Sequence, residues 1–487
     1  MTVLAIDLGT GSVKVAVVDA DLRVLAVTSR PYPVRSPRPG AAETEPAAWA
    51  RAVADGVQAV LSGRCGAVDP AALTAVGLSG QMHGVVLLGP DGAALDSALL
   101  WSDTRATAEV ARLAAAPPAV RERLANPLVP GMAGPLLALL ARTEPVALWR
   151  AAAAVSPKDW LRVAIAGPDA LAADPSDASA TLLWDVPGNR WDAEVCAILG
   201  VDPALLPPVR ASSDVAGRTT GALGLPPGLP VVTGAADTAC AAFGTGTVRP
   251  GRGLVAVGTG AQVLVPLDAP IPTGPAPVTH TYRSAVPGGW YRMGAVQSAG
   301  MTLERVLGWF GAGWDEALAA LRERPDGDPV FLPYLAGERT PWLDPALRGS
   351  WTGLGLEHDR RAILRAALSG VACALADAWD AVLDTGADPG VPFLVGGGSV
   401  DPGWRQLLAD TLRTPLQPVA VPHAAALGAA ALALVGTGVL AAADAPGLLE
   451  QVTLGPRPAP LVEPDVAAIG WVLELRARFE AARHRLA

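Results

Sequence analysis

The run Val3-Leu4-Ala5-Ile6-Asp7-Leu8 breaks at Gly9-Thr10-Gly11 and resumes as Val13-Lys14-Val15-Ala16-Val17, and no other pattern constrains the chain as much. An apolar run, a glycine-rich turn and a second β-branched run predict two strands joined tightly. A turn at Asp19 to Leu22 leads into a third β-rich stretch, Arg23 to Thr28. The second half restarts this grammar: Leu254 to Val257 is apolar, Gly258-Thr259-Gly260 turns, and Val263 to Val265 continues. Asp19 lies eight residues after Gly11, and Asp268 lies eight after Gly260. So long an interval is no solenoid period. It predicts a duplicated domain, with residues 1–244 and 245–487 as the two units and the boundary near Gly244 to Gly253.

Further strand-to-glycine junctions support the duplication. Thr74 to Leu78 opens into Ser79-Gly80-Gln81-Met82-His83-Gly84, and Pro230 to Thr233 runs into Gly234-Ala235-Ala236-Asp237. Pro392 to Val395 runs into Gly396-Gly397-Gly398. Helical patterns lie at Glu45 to Ser62 and at Arg360 to Leu383, where Ile363, Ala367, Val371, Leu375, Trp379 and Val382 keep a helical spacing and Gly386 follows as a stop. The expected class is α/β, β-meanders plus βα units in each half.

Composition narrows the function. Of 487 residues, 51 % are apolar and 17 % charged, enough for a large core and too ordered a mixture for disorder. The net charge of −9 and the lack of a basic stripe argue against nucleic acid or an anionic membrane as partner. Lys14 and Lys158 are the only lysines. An anionic ligand must then be held mainly by backbone dipoles. Cys65, Cys196, Cys240 and Cys373 are scattered without metal spacing, which fits a reducing compartment. The N-terminus enters a strand at once, without a charged leader, so a cytoplasmic location is expected. The uncharged stretch Thr414 to Ala443 carries Pro415, Pro418 and Pro422 and is mostly alanine beyond them, which predicts a buried helix of small side chains rather than a membrane span.

Candidate chemistry concentrates at the junctions. Asp7 ends a strand before a turn whose amides can converge on phosphate oxygens, with Thr10 and Ser12 adding hydroxyls and Lys14 a charge. Asp7 could there hold a divalent cation bridging nucleotide phosphates; an ordinary β-hairpin with an exposed aspartate is the alternative. Neither a Walker A motif nor a Rossmann GxGxxG is present. Asp237 stands between a strand and the apolar helix Thr238 to Phe243, where it could cap the helix or serve as a base for a hydroxyl proton. Gln81, Met82 and His83, with Trp101-Ser102-Asp103-Thr104-Arg105, form a polar set suited to sugar hydroxyls; a core histidine is the plainer reading. Gly396, Gly397 and Gly398 would let a flat ring lie on backbone, or form a flexible loop.

Taken in order, these segments resemble the FGGY carbohydrate kinases nearly end to end. AIDLGTGSVKVAVVD is similar to the family's first phosphate-binding hairpin, GLSGQMHGVVLL and ALLWSDTR to its sugar-binding segments, and SPKDWLR with DPSDASATLLWD to its lid-side stretch. VVTGAADTACAAFGTG is similar to the segment carrying the catalytic aspartate, FLPYLAGERTP to a later signature, and FLVGGGSVDPGWRQLLAD to the adenosine loop. The resemblance implies a duplicated actin-like, ribonuclease-H-like fold with ATP in the interdomain cleft, and a homodimer as a family expectation. It implies Asp237 as general base, Asp7 near Mg²⁺, and Gln81, Met82, His83, Trp101 and Asp103 toward the sugar. Thr10, Gly11, Ser12, Lys14, Gly258, Thr259 and Gly260 would hold phosphates, and Gly396 to Gly398 would face adenosine. Gln-Met-His-Gly favours D-xylulose over ribulose, gluconate or glycerol. Thr238, Ser369 and His423 depart from the family pattern, which bears on sugar choice and nucleotide affinity. The rival class is an actin-like ATPase that transfers no phosphate to a small molecule.

Overall fold

The computed structural model describes residues 1–66, 68–325 and 327–485. Strand β1 (Thr2–Leu8) is buried along its whole length, because a near-continuous apolar run suits a central strand covered on both faces. It pairs antiparallel with β2 (Ser12–Asp19), and β2 pairs antiparallel with β3 (Val24–Pro31). On its other side β1 pairs parallel with β4 (Leu73–Gly80), which runs parallel to β5 (Pro230–Val232) and to the short β6 (Ala235–Ala236). The edge strand Val215–Arg218 completes this sheet.

The second sheet repeats the plan. Strand β7 (Leu254–Val257) pairs antiparallel with β8 (Ala261–Leu267), and a strand at His280–Arg283, β9, borders β10 (Trp290–Val296), which pairs antiparallel with β8. On the far side β7 runs parallel to β11 (Phe393–Gly396) and β11 parallel to β12 (Gln417–Pro418). Both sheets therefore share one order and one set of directions, β3-β2-β1-β4-β5 against β10-β8-β7-β11-β12. The duplication expected from the two glycine turns, and the ribonuclease-H-like fold that the family resemblance implies, are the architecture observed.

Helices cover the sheets. Helix α1 (Pro46–Leu61) packs on β2 and β3, and α2 (Pro157–Ala166) lies over β4. The five-residue α3 (Pro175–Ser179) abuts β6 and β9. Helix α4 (Asp237–Gly244) leaves the first sheet, α5 (Gly300–Phe310) follows β10, and α6 (Arg360–Leu383) has the predicted bounds. Among the described residues α6 alone is long and apolar enough to cross a membrane, and 78 % of its apolar window is buried inside the protein.

Helix α8, numbered after α7 (Pro402–Leu412), spans Ala424–Gly436 and is the buried small-residue helix anticipated within 414–443. It follows the second sheet in sequence yet packs on α4, β4 and β1 of the first. Its composition follows from backbone contact. A Cβ at Gly428 would sit 2.0 Å from the Cys240 carbonyl oxygen, and one at Gly244 would sit 2.0 Å from that of Ala424. Only small residues let two helices cross that closely.

Candidate active site

The carboxyl ends of the parallel strands bring the two aspartates together. In register, Asp7 on β1 faces Ser79 on β4, and Ser79 faces Ala235 on β6, two residues before Asp237. Asp7 and Asp237 thus stand at the same end of the sheet with β4 between the strands that carry them, two spacings of ~4.8 Å.

Asp7 is 6 % exposed. Its Oδ1 accepts from Ser79 Oγ at 3.0 Å, and its Oδ2 lies 3.8 Å from Lys14 Nζ. Burial raises its pKa, with Lys14 and the Ser79 hydrogen bond opposing. Asp237 is pushed up to about 7, first by burial and then by the like charge of Asp7. A carboxyl poised there changes its proton near neutral pH, as a base for a hydroxyl requires.

Asp237 is not the helix cap. Ala236 holds the N-cap position of α4, whereas Asp237 Oδ1 accepts from Thr238 N at 2.6 Å and Thr238 Oγ1 at 3.2 Å. Thr238, noted as a departure, thus supplies a second donor to the carboxylate.

The first turn is closed by Gly9 N donating to Ser12 O at 3.0 Å. Its Gly9 carbonyl also accepts from the Tyr32 hydroxyl and from Gln81 Nε2, the latter at 3.2 Å. Gln81 is buried, and its Oε1 is left without a partner among the described residues. Trp101 is 39 % exposed and donates through Nε1 to Thr10 Oγ1 at 2.9 Å. An exposed indole anchored at one edge leaves an apolar face for a sugar ring.

His83 takes a left-handed backbone, φ 71°, and its Nδ1 lies 2.7 Å from the Ala180 carbonyl. A carbonyl only accepts, so Nδ1 carries the hydrogen and Nε2 is an acceptor. Burial lowers the pKa to about 4, with the Ala180 contact opposing and the Arg339 charge adding to the fall. The ring is therefore neutral at physiological pH and suited to receive a hydroxyl hydrogen bond.

Two of the residues expected toward the sugar are buried. Asp103 is wholly buried, and Ala42 N (3.1 Å), Arg105 N (3.0 Å) and the Arg105 guanidinium occupy both its oxygens. Arg105 also pairs with Glu43 at 2.9 Å, so Asp103 braces the segment that presents Trp101. Met82 is 5 % exposed and packs with the hydrophobic core, next to the half-buried His83.

The second turn, Gly258-Thr259-Gly260, is exposed, with Gly258 N donating to Gly260 O at 2.9 Å. Of the three glycines after β11, Gly396 and Gly398 are packed against Val257, where a Cβ would come within 2.4 Å and 2.6 Å of it; Gly397 faces open space. His423, at the N-cap of α8, is near enough to Asp7 and Lys14 for their charges to act on it, and its pKa is lowered, chiefly by burial. Ser369, the third departure, is buried inside α6 away from this cleft edge. Residue-type reasoning assigned no role to Ser79, although it opens the strand-to-glycine junction before Gln81, and missed Tyr32, which lies in no such pattern.

Residues 2–244 match the N-terminal domain of the FGGY family of carbohydrate kinases, and residues 253–437 match its C-terminal domain. The xylulose kinase of Klebsiella pneumoniae is 33 % identical over 460 residues, covering 93 % of each chain. That of Escherichia coli (strain K12) is 33 % identical over 413 residues, covering 84 % of each. The crystal structure of a xyloylose kinase from Brucella ovis superposes with a TM-score of 0.90 at 33 % identity, covering 100 % of both chains.

Proposed function

The chain belongs to the FGGY family of carbohydrate kinases, and from that membership we propose that it transfers the γ-phosphoryl group of ATP to a terminal hydroxyl of D-xylulose, giving D-xylulose 5-phosphate. Family membership sets aside the reading as a non-kinase actin-like ATPase. The choice of ketopentose is supported by the xylulose kinases at 33 % identity and by the Gln81-Met82-His83 segment. The observation that carries the reading is Asp237, a half-buried carboxyl at the same sheet end as Asp7, with its pKa pushed up to about 7.

In this reading residues 1–244 bind the sugar and residues 245–487 the nucleotide. The Trp101 face, Gln81 Oε1 and His83 Nε2 hold and orient the sugar. The amides of Gly11, Ser12, Gly258, Thr259 and Gly260, with Thr10 and Lys14, hold the phosphates, and Gly397 gives room for the adenosine side. Asp237 takes the proton of the attacking hydroxyl, and preorganised amides meet the charge that develops on the transferring group. Closure of the cleft excludes water and limits wasteful hydrolysis.

Mg²⁺ belongs to the same reading. Among the described residues no group of three or more His, Cys, Asp or Glu side chains is gathered. A magnesium ion carried by nucleotide phosphates needs only one or two carboxylates, and Asp7 fits that requirement. Bound there, the ion would neutralise phosphate charge. A cytoplasmic location is supported by the four free cysteines.

The test is sugar-dependent ADP release with D-xylulose, ribulose, glycerol and gluconate compared side by side. Release fastest with D-xylulose is the expected result; a clear preference for another acceptor reassigns the sugar, and no response to any of them overturns the reading.

A further inference from the structure

The segments SPKDWLR and DPSDAS contribute no residue to the site described above, yet they form a buried cluster of charge directly behind the turn that delivers Asp237. Lys158 is wholly buried, with its ammonium 2.5 Å from Asp159 Oδ1, 3.3 Å from Asp174 Oδ1 and 3.4 Å from Asp177 Oδ2. Arg162, equally buried, lies 2.8 Å from Asp159 Oδ1. Burial raises Asp177 well above the usual carboxylate range, with Lys158 opposing and the neighbouring Asp174 and Asp159 adding to the rise, and two cations face three aspartates. Burying so many ionic groups is poor value as a source of stability, since well-packed apolar residues serve equally well. What such a cluster does supply is position.

Besides the bonds from Arg162 to the Ala170 and Ala172 carbonyls, its hydrogen bonds reach one further stretch of backbone. Lys158 Nζ and Arg162 Nη1 donate to the Thr233 carbonyl at 3.3 Å and 2.6 Å. Asp174 Oδ2 accepts from Ser176 Oγ at 2.5 Å and from Ser212 Oγ at 3.1 Å. Ser176 Oγ in turn accepts from Ala236 N at 2.9 Å, and the Ser212 carbonyl accepts from Gly234 N at 2.9 Å. Three backbone groups within the four residues before Asp237 are thus tied to the cluster. The Ala236 amide stands at the N-cap of α4, where no side chain of the helix's own caps it. The same lysine abuts the sugar side, because a Cβ at Gly80 would sit 2.8 Å from Lys158 Cβ.

We propose that Ser176 and Asp174 are positioning residues for phosphoryl transfer, the chain Lys158–Asp174–Ser176–Ala236 fixing where the Asp237 carboxylate meets the acceptor hydroxyl. This rests on the reading of Asp237 as the base. A misplacement of about 1 Å at a reacting group costs on the order of 10² in rate, which sets the scale of the effect.

The experiment is a cycle of Ser176→Ala, Asp237→Asn and the double variant, with turnover measured on the sugar that the acceptor panel selects. Ser176→Ala is expected to lower kcat by roughly ten- to a hundredfold while KM for sugar and for ATP stays within about twofold. Added to Asp237→Asn it removes nothing further, and Ser176→Thr, which keeps the hydroxyl, recovers most of the rate. If Ser176→Ala does not accumulate as folded protein, Ser212→Ala, which removes the other hydroxyl on Asp174, is read in the same cycle. Parent-like kcat in the Ser176 or Ser212 variant overturns the proposal, as does an equal fold-loss with and without Asp237. In that last case a crippled Asp237→Asn leaves the base standing and only the positioning role falls; an active Asp237→Asn removes both.

Discussion

The two glycine-threonine-glycine turns share a sequence, but only the first is flanked by charge. Each closes on itself with one short hydrogen bond, Gly9 N to Ser12 O at 3.0 Å and Gly258 N to Gly260 O at 2.9 Å. Two residues before the first glycine stands Asp7 in one copy and Ala256 in the other; three residues after the last stands Lys14 or Val263. Even the parallel neighbour differs, Ser79 beside Asp7 and Val395 beside Ala256. Their supports differ too. Side chains of Tyr32, Gln81 and Trp101 brace the first turn, whereas backbone amides of Gly300 and Met301 hold the second, at 3.0 Å from Gly258 O and 2.9 Å from Thr259 O. Duplication has kept the glycine turn, and in the proposed reading the charges that do chemistry stand beside one copy only.

The largest expected effect tests that asymmetry. Asp237→Asn should lower kcat by about 10² to 10⁴, the usual cost of losing a positioned base, while the melting transition is retained. A near-parent rate in that variant would break the division of labour between the halves.

The pH behaviour of the same residue comes next. Asp237 has its pKa raised from 3.8 to about 7, so between these values the native state binds more protons than the unfolded chain. Its contribution to stability therefore falls as pH rises through that window and is least favourable above about 7. The rate with sugar should drop below about pH 7 as the base is protonated. Thermal melts should show Asp237→Asn gaining on the parent at pH 8 and converging with it near pH 4. A gap between the two that is constant across pH would mean the carboxyl titrates normally in the folded protein.

Much of this was legible locally. The hairpins, the strand-to-glycine junctions and the limits of Arg360–Leu383 are written in runs of adjacent residues, and local pattern suffices for them. The position of Asp237 between strand and helix was equally plain. What could not be read is which side chains spend their polarity on the protein itself. Asp7 meets Ser79 across 72 residues, and Asn126 Nδ2 donates to the Thr281 carbonyl across 155. Asp103 looked like a free carboxylate because one of its partners, Ala42 N, lies 61 residues away. The ion cluster around Lys158 was visible as two motifs, but their convergence on Thr233 and Ala236 is a tertiary fact.

A smaller effect bears on the second turn alone. A Cβ at Gly300 would sit 2.4 Å from the Gly258 carbonyl oxygen, backbone that cannot yield as a flexible side chain would. Gly300→Ala should push the turn outward and raise KM for ATP by roughly tenfold, about the effect of one weakened charge-assisted hydrogen bond, with sugar affinity unchanged. Sugar affinity falling in parallel would show that the two turns are mechanically coupled rather than separately supported.

The smallest expected effect separates the two threonines. Thr10 Oγ1 accepts from Trp101 Nε1 at 2.9 Å, whereas no hydrogen bond engages the exposed Thr259 side chain among the described residues. Thr10→Ala frees the indole that would lie against the sugar, and one neutral hydrogen bond is worth about 0.5–1.5 kcal/mol, so KM for the sugar should rise by about two- to tenfold. Thr259→Ala deletes only an exposed hydroxyl and should leave that KM within about twofold. The contrast discriminates because both variants lose the same atoms from the same three-residue motif. Equal losses on the sugar side would mean that Thr10 acts on phosphate alone, and the side-chain bracing of the first turn would then have no part in holding the sugar.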